Sequence, residues 1–284
     1  MQVSFKTALS AALASFVMAA FAGARPADAA QYAGVPSVVA SRDLRATLDV
    51  GGSGLARQLT VREYSEDRTG PLRSFGLDMT KRMHLIVISD DLSTYMHVHP
   101  VLGGDGAFTL GIRFPKAAIY HVYADARPTG FGHSVFRFDV KIGWSKRIAV
   151  RHAGPGGNTV TLGPYAVRLS ALRVPAGQDA PVLVAITRSG EPATDLHPYL
   201  GAFAHIVAIG VTDLSYTHVH AMDARAMPMG TGTEDEASPV PFNTIVPATM
   251  SVHLDLAKKE TYKVWVEFQG GSKLYAAPFV VTAY

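Results

Sequence analysis

The chain has 284 residues, a formal net charge of +3 and no cysteine. The lack of cysteine excludes disulfides, lipid attachment through a thiol, and the thiolate ligand that a blue-copper centre requires. So weak a net charge gives no reason to expect nucleic-acid binding, and the length favours two domains over a single core.

The first 30 residues have the pattern of a signal peptide. Lys6 supplies a positive charge near the start, an uncharged Ala-rich stretch runs from Thr7 to Ala24, and Ala27-Asp28-Ala29 resembles a cleavage motif. We therefore expect export to the periplasm or secretion, with no membrane span in the mature chain.

The remaining chain consists of short apolar and β-branched segments separated by Gly, Pro, Asn and Asp, without a long helical period. This pattern predicts an all-β fold of two tandem immunoglobulin-like or cupredoxin-like β-sandwich domains, spanning residues 31–143 and 159–284, with a linker at 144–158. An exposed insertion is expected at Met227–Pro241. The predicted strands of the first domain are Gln58–Tyr64, Met83–Ser89, Thr94–Pro100, Phe108–Phe114, Tyr120–Asp125 and Ser134–Ile142. Those of the second are Thr159–Leu172, Val182–Arg188, Ala204–Ile209, Tyr216–His220, Met250–Leu256, Tyr262–Phe268 and Ala276–Thr282.

One histidine pattern occurs twice, once in each predicted domain. Twelve residues separate the first histidine from a His-x-His pair in both copies, and both copies contain Asp-Leu-Ser between them. A spacing repeated to the residue indicates a duplicated module whose functional part is a three-histidine cluster. The six residues are His84, His97, His99, His205, His218 and His220.

Each copy reads as a β-hairpin. If residues 90–93 form the loop, His84 lies opposite His99 and Ile86 lies opposite His97 in an antiparallel pair. Opposed residues share a face of the sheet, as do residues two apart on one strand, so all three imidazoles converge. The same count applies to the second copy. Three convergent imidazoles are suited to hold one copper or zinc ion per repeat.

Other residues near the motifs have plainer interpretations. Strand alternation turns Met83 and Met96 away from the histidine face, towards the core. Asp125 and Glu267 are placed as acceptors for imidazole N–H groups, although an exposed carboxylate at a strand end is the more common state. Two further sets remain open: Met222, Met227 and Met229 as soft Cu(I) ligands in a loop, and His197 as a neighbour of the second cluster.

The repeated segments resemble a family of secreted bacterial proteins with tandem immunoglobulin-like repeats. The resemblance covers roughly residues 56–284, rests on motifs such as His97-Val98-His99-Pro100 and Asp213-Leu214-Ser215, and implies similarity to periplasmic heavy-metal and copper-handling proteins. In the family pattern a proline follows each His-x-His. This chain keeps Pro100 but has Ala221 in the second copy.

The favoured hypothesis is a periplasmic metal-binding protein, a copper or zinc chaperone or buffer that exchanges its ion with a periplasmic or membrane transport protein. Two alternatives stay open: an adhesion or structural β-sandwich module with core histidines, and a zinc-dependent enzyme. No G-x-S-x-G or H-E-x-x-H motif occurs and no acidic residue lies inside the repeat at an obvious base position, so we do not expect an enzyme.

Overall fold

The computed structural model describes residues 30–39, 42–67, 69–146, 151, 153–154, 156–224 and 238–284. Residues 1–29 of the predicted signal peptide therefore lie outside the described residues, as do Met227, Met229 and the rest of the expected insertion up to residue 237. Within the described ranges, no helix has the length and apolar character needed to cross a membrane.

The first sandwich consists of two antiparallel sheets. One has the strand order β1-β3-β4-β8-β7 and the other β2-β10-β9-β5-β6. The strands are β1 (Ala30–Ala33), β2 (Val35–Val39), β3 (Leu44–Ser53), β4 (Ala56–Ser65), β5 (Met83–Ser89), β6 (Tyr95–Val98), β7 (Val101–Leu102), β8 (Phe108–Arg113), β9 (Ala118–Ala126) and β10 (Ser134–Ile142).

The second sandwich repeats this design with some additional short strands. Its sheets have the orders β11-β12-β14-β20-β19, with β15 beside β14, and β13-β22-β21-β17-β18, with β16 beside β21. The strands are β11 (Thr159–Leu162), β12 (Tyr165–Leu169), β13 (Arg173–Val174), β14 (Asp179–Arg188), β15 (Glu191–Pro192), β16 (Leu196–His197), β17 (His205–Gly210), β18 (Tyr216–His220), β19 (Met222–Asp223), β20 (Thr249–Asp255), β21 (Thr261–Gly270) and β22 (Lys273–Ala283).

The predicted all-β fold with two tandem sandwiches is confirmed. Two details differ. The first sheet begins with strands that the sequence analysis did not predict, and the predicted single strand Thr159–Leu172 is a hairpin of β11 and β12. That hairpin turns at Gly163, whose φ of +59° is a left-handed conformation that glycine adopts without steric cost.

A hydrophobic core fills each sandwich, and a third apolar cluster joins the two. Strand β5 contributes to both the first core and the third cluster, because all seven of its residues are buried. Met83, Leu85 and Val87 point into the first core, whereas Ile86 and Ile88 on the opposite face belong to the cluster between the sandwiches. A strand buried on both faces is a continuous apolar run, without the alternation of a half-exposed strand.

The joining cluster is built from equivalent strands of the two repeats. Its aromatic members stack across the boundary: Tyr95 on Trp265 with ring centroids 5.0 Å apart, and Tyr123 on Tyr216 with centroids 4.9 Å apart. The stacking is reciprocal, since each repeat contributes one hairpin tyrosine and one ring from the neighbouring strand. The buried members are Ile86, Ile88, Leu92, Tyr123, Val135, Val207, Ile209, Leu214, Tyr216 and Trp265.

Candidate metal centre

The two histidine motifs form the hairpins β5–β6 and β17–β18. Ile86 pairs with His97 in the first, which places His84 opposite His99, and His205 pairs with His220 in the second. This is the register that the spacing predicts. Each hairpin therefore presents its three imidazoles on one face, and in both repeats that face is turned towards the other sandwich.

In the first cluster, three ring nitrogens meet at one point. His84 Nδ1 lies 2.8 Å from His97 Nε2, and His99 Nε2 lies 3.2 Å from the former and 3.1 Å from the latter. Nitrogens bound tetrahedrally at 2.0–2.1 Å from one ion would be about 3.4 Å apart. The first cluster is therefore geometrically able to hold a metal ion after a small expansion.

The second cluster also brings its three imidazole rings together, but only two of their nitrogens are in close contact. His205 Nδ1 lies 3.2 Å from His218 Nε2. The ring centroids of His205 and His220 are 4.7 Å apart. His220 Nε2 is buried and has no hydrogen-bond partner among the described residues. A buried polar atom without a partner is costly, and an ion at the cluster would satisfy it.

Backbone carbonyls orient the first histidine of each cluster. His84 Nε2 donates to the Asp78 carbonyl at 3.2 Å, and His205 Nε2 donates to the Tyr199 carbonyl at 3.0 Å. The residue after each carbonyl, Met79 or Leu200, has a φ of +51°. This conformation is strained for a residue with a side chain. Because both repeats have it at the same position, we infer that it serves to aim the carbonyl at the imidazole.

Two carboxylates cross the boundary between the sandwiches. Glu267 of the second repeat accepts from His97 Nδ1 at 2.6 Å, and Asp125 of the first accepts from His218 Nδ1 at 3.3 Å. The expectation that these strand-end carboxylates are exposed is wrong: Asp125 is 1% exposed and Glu267 3%. The reason is that both residues lie within strands, Asp125 in β9 and Glu267 in β21, on faces covered by the other sandwich.

The protonation of these carboxylates differs. Burial would raise the pKa of Asp125, but hydrogen bonds from His133 and His218 outweigh it and hold the pKa well below its usual range. Burial raises the pKa of Glu267 to about 8. Positive charge placed beside His97 by a bound cation would favour the Glu267 carboxylate.

The outer partners decide which nitrogens carry lone pairs. A neutral imidazole has one N–H. When His205 and His218 are both neutral, that proton is donated outwards, to the Tyr199 carbonyl and to the ionised Asp125. The inward nitrogens of this pair are therefore both acceptors, 3.2 Å apart. Two facing lone pairs repel unless a cation lies between them, which is the arrangement of histidines that ligate a metal.

Five of the six imidazoles, those of His84, His97, His99, His205 and His220, stay neutral near pH 7. Burial, reinforced by the neighbouring His218, lowers the pKa of His84 to about 4, and burial with the neighbouring His84 lowers that of His99 to about 3. Burial also lowers the pKa of His97, His205 and His220. Metal binding requires neutral imidazole, so the ligands need not lose a proton first.

The clusters differ from the sequence-based expectation in one respect, because they do not lie apart in separate domains. The ring centroids of His84 and His218 are 5.0 Å apart, and those of His97 and His205 are 5.2 Å apart. One ligand atom from each of these four residues lies within 4.8 Å of the other three. The six histidines thus form one centre at the boundary between the repeats, which we call the six-histidine centre.

Sequence reasoning missed Asp78. Its carboxylate lies within 4.8 Å of the ligand atoms of His218 and His220, in the other repeat. Tyr199 occupies the equivalent place before the second motif, six residues ahead of His205 as Asp78 is of His84. The presence of Asp78 in one copy and Tyr199 in the other was the available sequence signal. It points to a ligand only once the contact between the two repeats is known.

The other residues considered from the sequence lie as follows. Met83 and Met96 pack in and against the first core, as predicted. His197 is exposed and lies opposite Gln269 on the neighbouring strand β21. It belongs to none of the groups of convergent ligand atoms found among the described residues. Met222 is partly buried beside the second cluster.

Comparison with known proteins gives a family and no named relative. A family model described as a domain of unknown function, DUF8832, matches residues 42–143 and 159–284, which are the first sandwich from β3 onwards and the second sandwich. No curated protein matches the chain.

Proposed function

The chain belongs to the DUF8832 family, described as a domain of unknown function, and we propose that it is a metal-binding protein of the periplasm that captures and releases copper or zinc. The observation that carries the proposal is the convergence of buried, neutral imidazole nitrogens whose other nitrogens are engaged by carbonyls and carboxylates. Such outer partners accompany metal-ligating histidines generally.

The occupancy that we propose for the centre is two ions, one per cluster. Within the first cluster the nitrogens lie 2.8–3.2 Å apart, and each cluster has its own pair of outer partners. One ion would then be held by His84, His97 and His99, and the second by His205, His218 and His220. Imidazole ligands suit zinc and both copper oxidation states.

Binding without catalysis is the favoured activity. Asp125 and Glu267, the carboxylates nearest the imidazole N–H groups, are occupied as hydrogen-bond acceptors and are not free to act as a base. Export through the predicted signal peptide would bring the protein to the compartment where it meets a metal-transport protein as donor or acceptor.

The adjacency of the clusters favours one second candidate. Many hydrolases hold two metal ions about 3.5–4 Å apart, and Asp78 is close enough to the second cluster to serve as a base or a ligand. Turnover of phosphate and carboxylate esters by the zinc-loaded protein would support this candidate, and its loss in Asp78→Asn with metal retained would assign the base.

The proposed function is tested by metal analysis of the purified chain after exposure to Zn(II), Cu(II) or Cu(I). A variant with His97→Ala, His99→Ala, His218→Ala and His220→Ala should lose tight binding. The matched control is His197→Ala, because His197 is an exposed histidine outside the centre. If the native chain binds no metal above background, the histidines are structural and the proposal fails.

A further inference from the structure

An apolar cavity of about 150 Å³ lies against the second cluster. Its wall includes His220, the only one of the six metal-site histidines among its lining residues, and two methionines contributed by different repeats. The lining residues most relevant here are Met79, Phe203, His220, Ala221, Met222 and Val240.

The two methionines distinguish this end of the centre from the other. Met79 precedes His84 by five residues, and Leu200 holds the same place before His205. Met222 follows His220 by two residues, and Val101, which is 71% exposed, holds the same place after His99. The duplicated design thus has thioethers on the cavity side and aliphatic side chains at the equivalent positions.

The position of Met79 is fixed by the fold. Met79 is 8% exposed although it lies in a turn, and its φ of +51° accompanies the hydrogen bond from His84 to the Asp78 carbonyl. The turn conformation itself does not require sulfur, because leucine adopts it in the second repeat. The thioether is therefore a chemical difference between the copies.

His220 supplies the imidazole of the cavity, whose lining also includes Asp223 and Ser238. Its Nε2 atom is buried and has no hydrogen-bond partner among the described residues. Two thioethers and one imidazole are soft to borderline ligands, a combination that favours Cu(I) over Zn(II).

We propose that this cavity is the entry and exit site for Cu(I). The ion binds first to the thioethers of Met79 and Met222 together with His220, and then passes to the second cluster through His220, which belongs to both sites. The transfer exchanges ligands at one oxidation state, so it requires no electron donor or acceptor. This inference rests on the proposed function and names copper as the ion that uses the cavity.

The test measures how fast the full chain takes up metal. Cu(I) is supplied as its bicinchoninate complex, and Zn(II) from a zinc indicator complex, in stopped-flow experiments on the native chain and on Met79→Leu with Met222→Leu. We expect Cu(I) uptake to slow at least tenfold while Zn(II) uptake and the final amount of bound metal stay unchanged. The control is Met83→Leu with Met96→Leu, two methionines of the first core.

The outcomes separate the two claims. Equal Cu(I) rates in native and variant chains, or equal slowing for both metals, would overturn the entry site and leave the metal-binding function intact. If the native chain binds Zn(II) and not Cu(I), the entry site is likewise overturned and the metal-binding function is left intact. Binding of neither metal would overturn both. Unchanged final stoichiometry in the variant excludes misfolding as the cause of a slower rate.

Discussion

The Nδ1 atom of His97, in the first repeat, lies 2.6 Å from Glu267 Oε2 in the second, although 170 positions separate the two residues in the chain. The reciprocal pair is His218 with Asp125. Each repeat thus orients a histidine of the other repeat's cluster from outside. Neither repeat holds a fully oriented cluster by itself, which gives a physical reason for the duplication.

Loss of the Glu267 carboxylate should weaken metal binding. In Glu267→Gln the neutral amide is a poorer acceptor for His97 and no longer balances the charge of an ion, so we expect affinity to fall about 10- to 100-fold. Competition with a chelator of known affinity measures this. Glu191→Gln, at an exposed glutamate, is the control, and equal losses in both variants would refute the role given to Glu267.

Metal should stabilise the two sandwiches as one unit. An ion that binds only the folded chain adds about 2.7 kcal/mol at a concentration 100 times its dissociation constant. We expect calorimetry to show a single, higher transition with zinc than with a chelator. Stabilisation of one sandwich alone, seen as two separate transitions in the presence of metal, would contradict a centre shared by both.

Trp265 should report binding of Cu(II). The chain has two tryptophans: Trp144 is 80% exposed, while Trp265 is buried, stacks on Tyr95 and lies two residues from Glu267. With Trp144→Phe as the background, Cu(II) should quench the remaining fluorescence stoichiometrically, because a paramagnetic ion nearby removes excitation energy. The control is a variant that combines His97→Ala, His99→Ala, His218→Ala and His220→Ala. Quenching that persists in this variant would indicate that Cu(II) binds elsewhere.

The buried Glu63 predicts a pH dependence that does not involve metal. Burial raises the pKa of Glu63 from its ordinary 4.5 to about 8. Ser134 donates to one carboxylate oxygen at 3.1 Å, and the other has no described partner. Between these pH values the folded chain keeps a proton that the unfolded chain has lost, so stability falls as pH rises, by at most about 1.4 kcal/mol per pH unit.

Glu63→Gln removes this titration. In metal-free protein, denaturant unfolding between pH 6.5 and 8.5 should show a shallower decline for the variant than for the native chain. The comparison starts at pH 6.5 because the lowered histidine pKa values act below it with the opposite sign. Parallel curves would show that Glu63 does not hold its proton in the folded state.

The local geometry of the site was predictable from the sequence, and its assembly was not. The spacing of His84, His97 and His99 determines the hairpin register, because one residue of slip would turn the imidazoles to opposite faces. The contact between clusters depends on how two sandwiches pack. The packing of the two sandwiches has a sequence signal in the unbroken apolar runs 85–88 and 206–209, which indicate strands covered on both sides.

The missed strand Leu44–Ser53 has a different cause. Its buried residues alternate from Leu44 to Val50, as a half-exposed strand requires, but Gly51 and Gly52 within the strand resemble loop sequence. Burial of Asp125 and Glu267 was not predictable either. Each carboxylate lies near the end of the apolar part of its strand, and that sequence looks the same whether the face meets solvent or a second domain.

The stoichiometry of tight metal binding tests the central claim most directly. Titration with Zn(II) and Cu(I), followed by metal analysis of the desalted protein, should give two ions per native chain. His97→Ala with His99→Ala should bind one, and His218→Ala with His220→Ala should bind one. A single ion in the native chain that either pair of substitutions abolishes would contradict two adjacent sites, and no bound ion would contradict the six-histidine centre altogether.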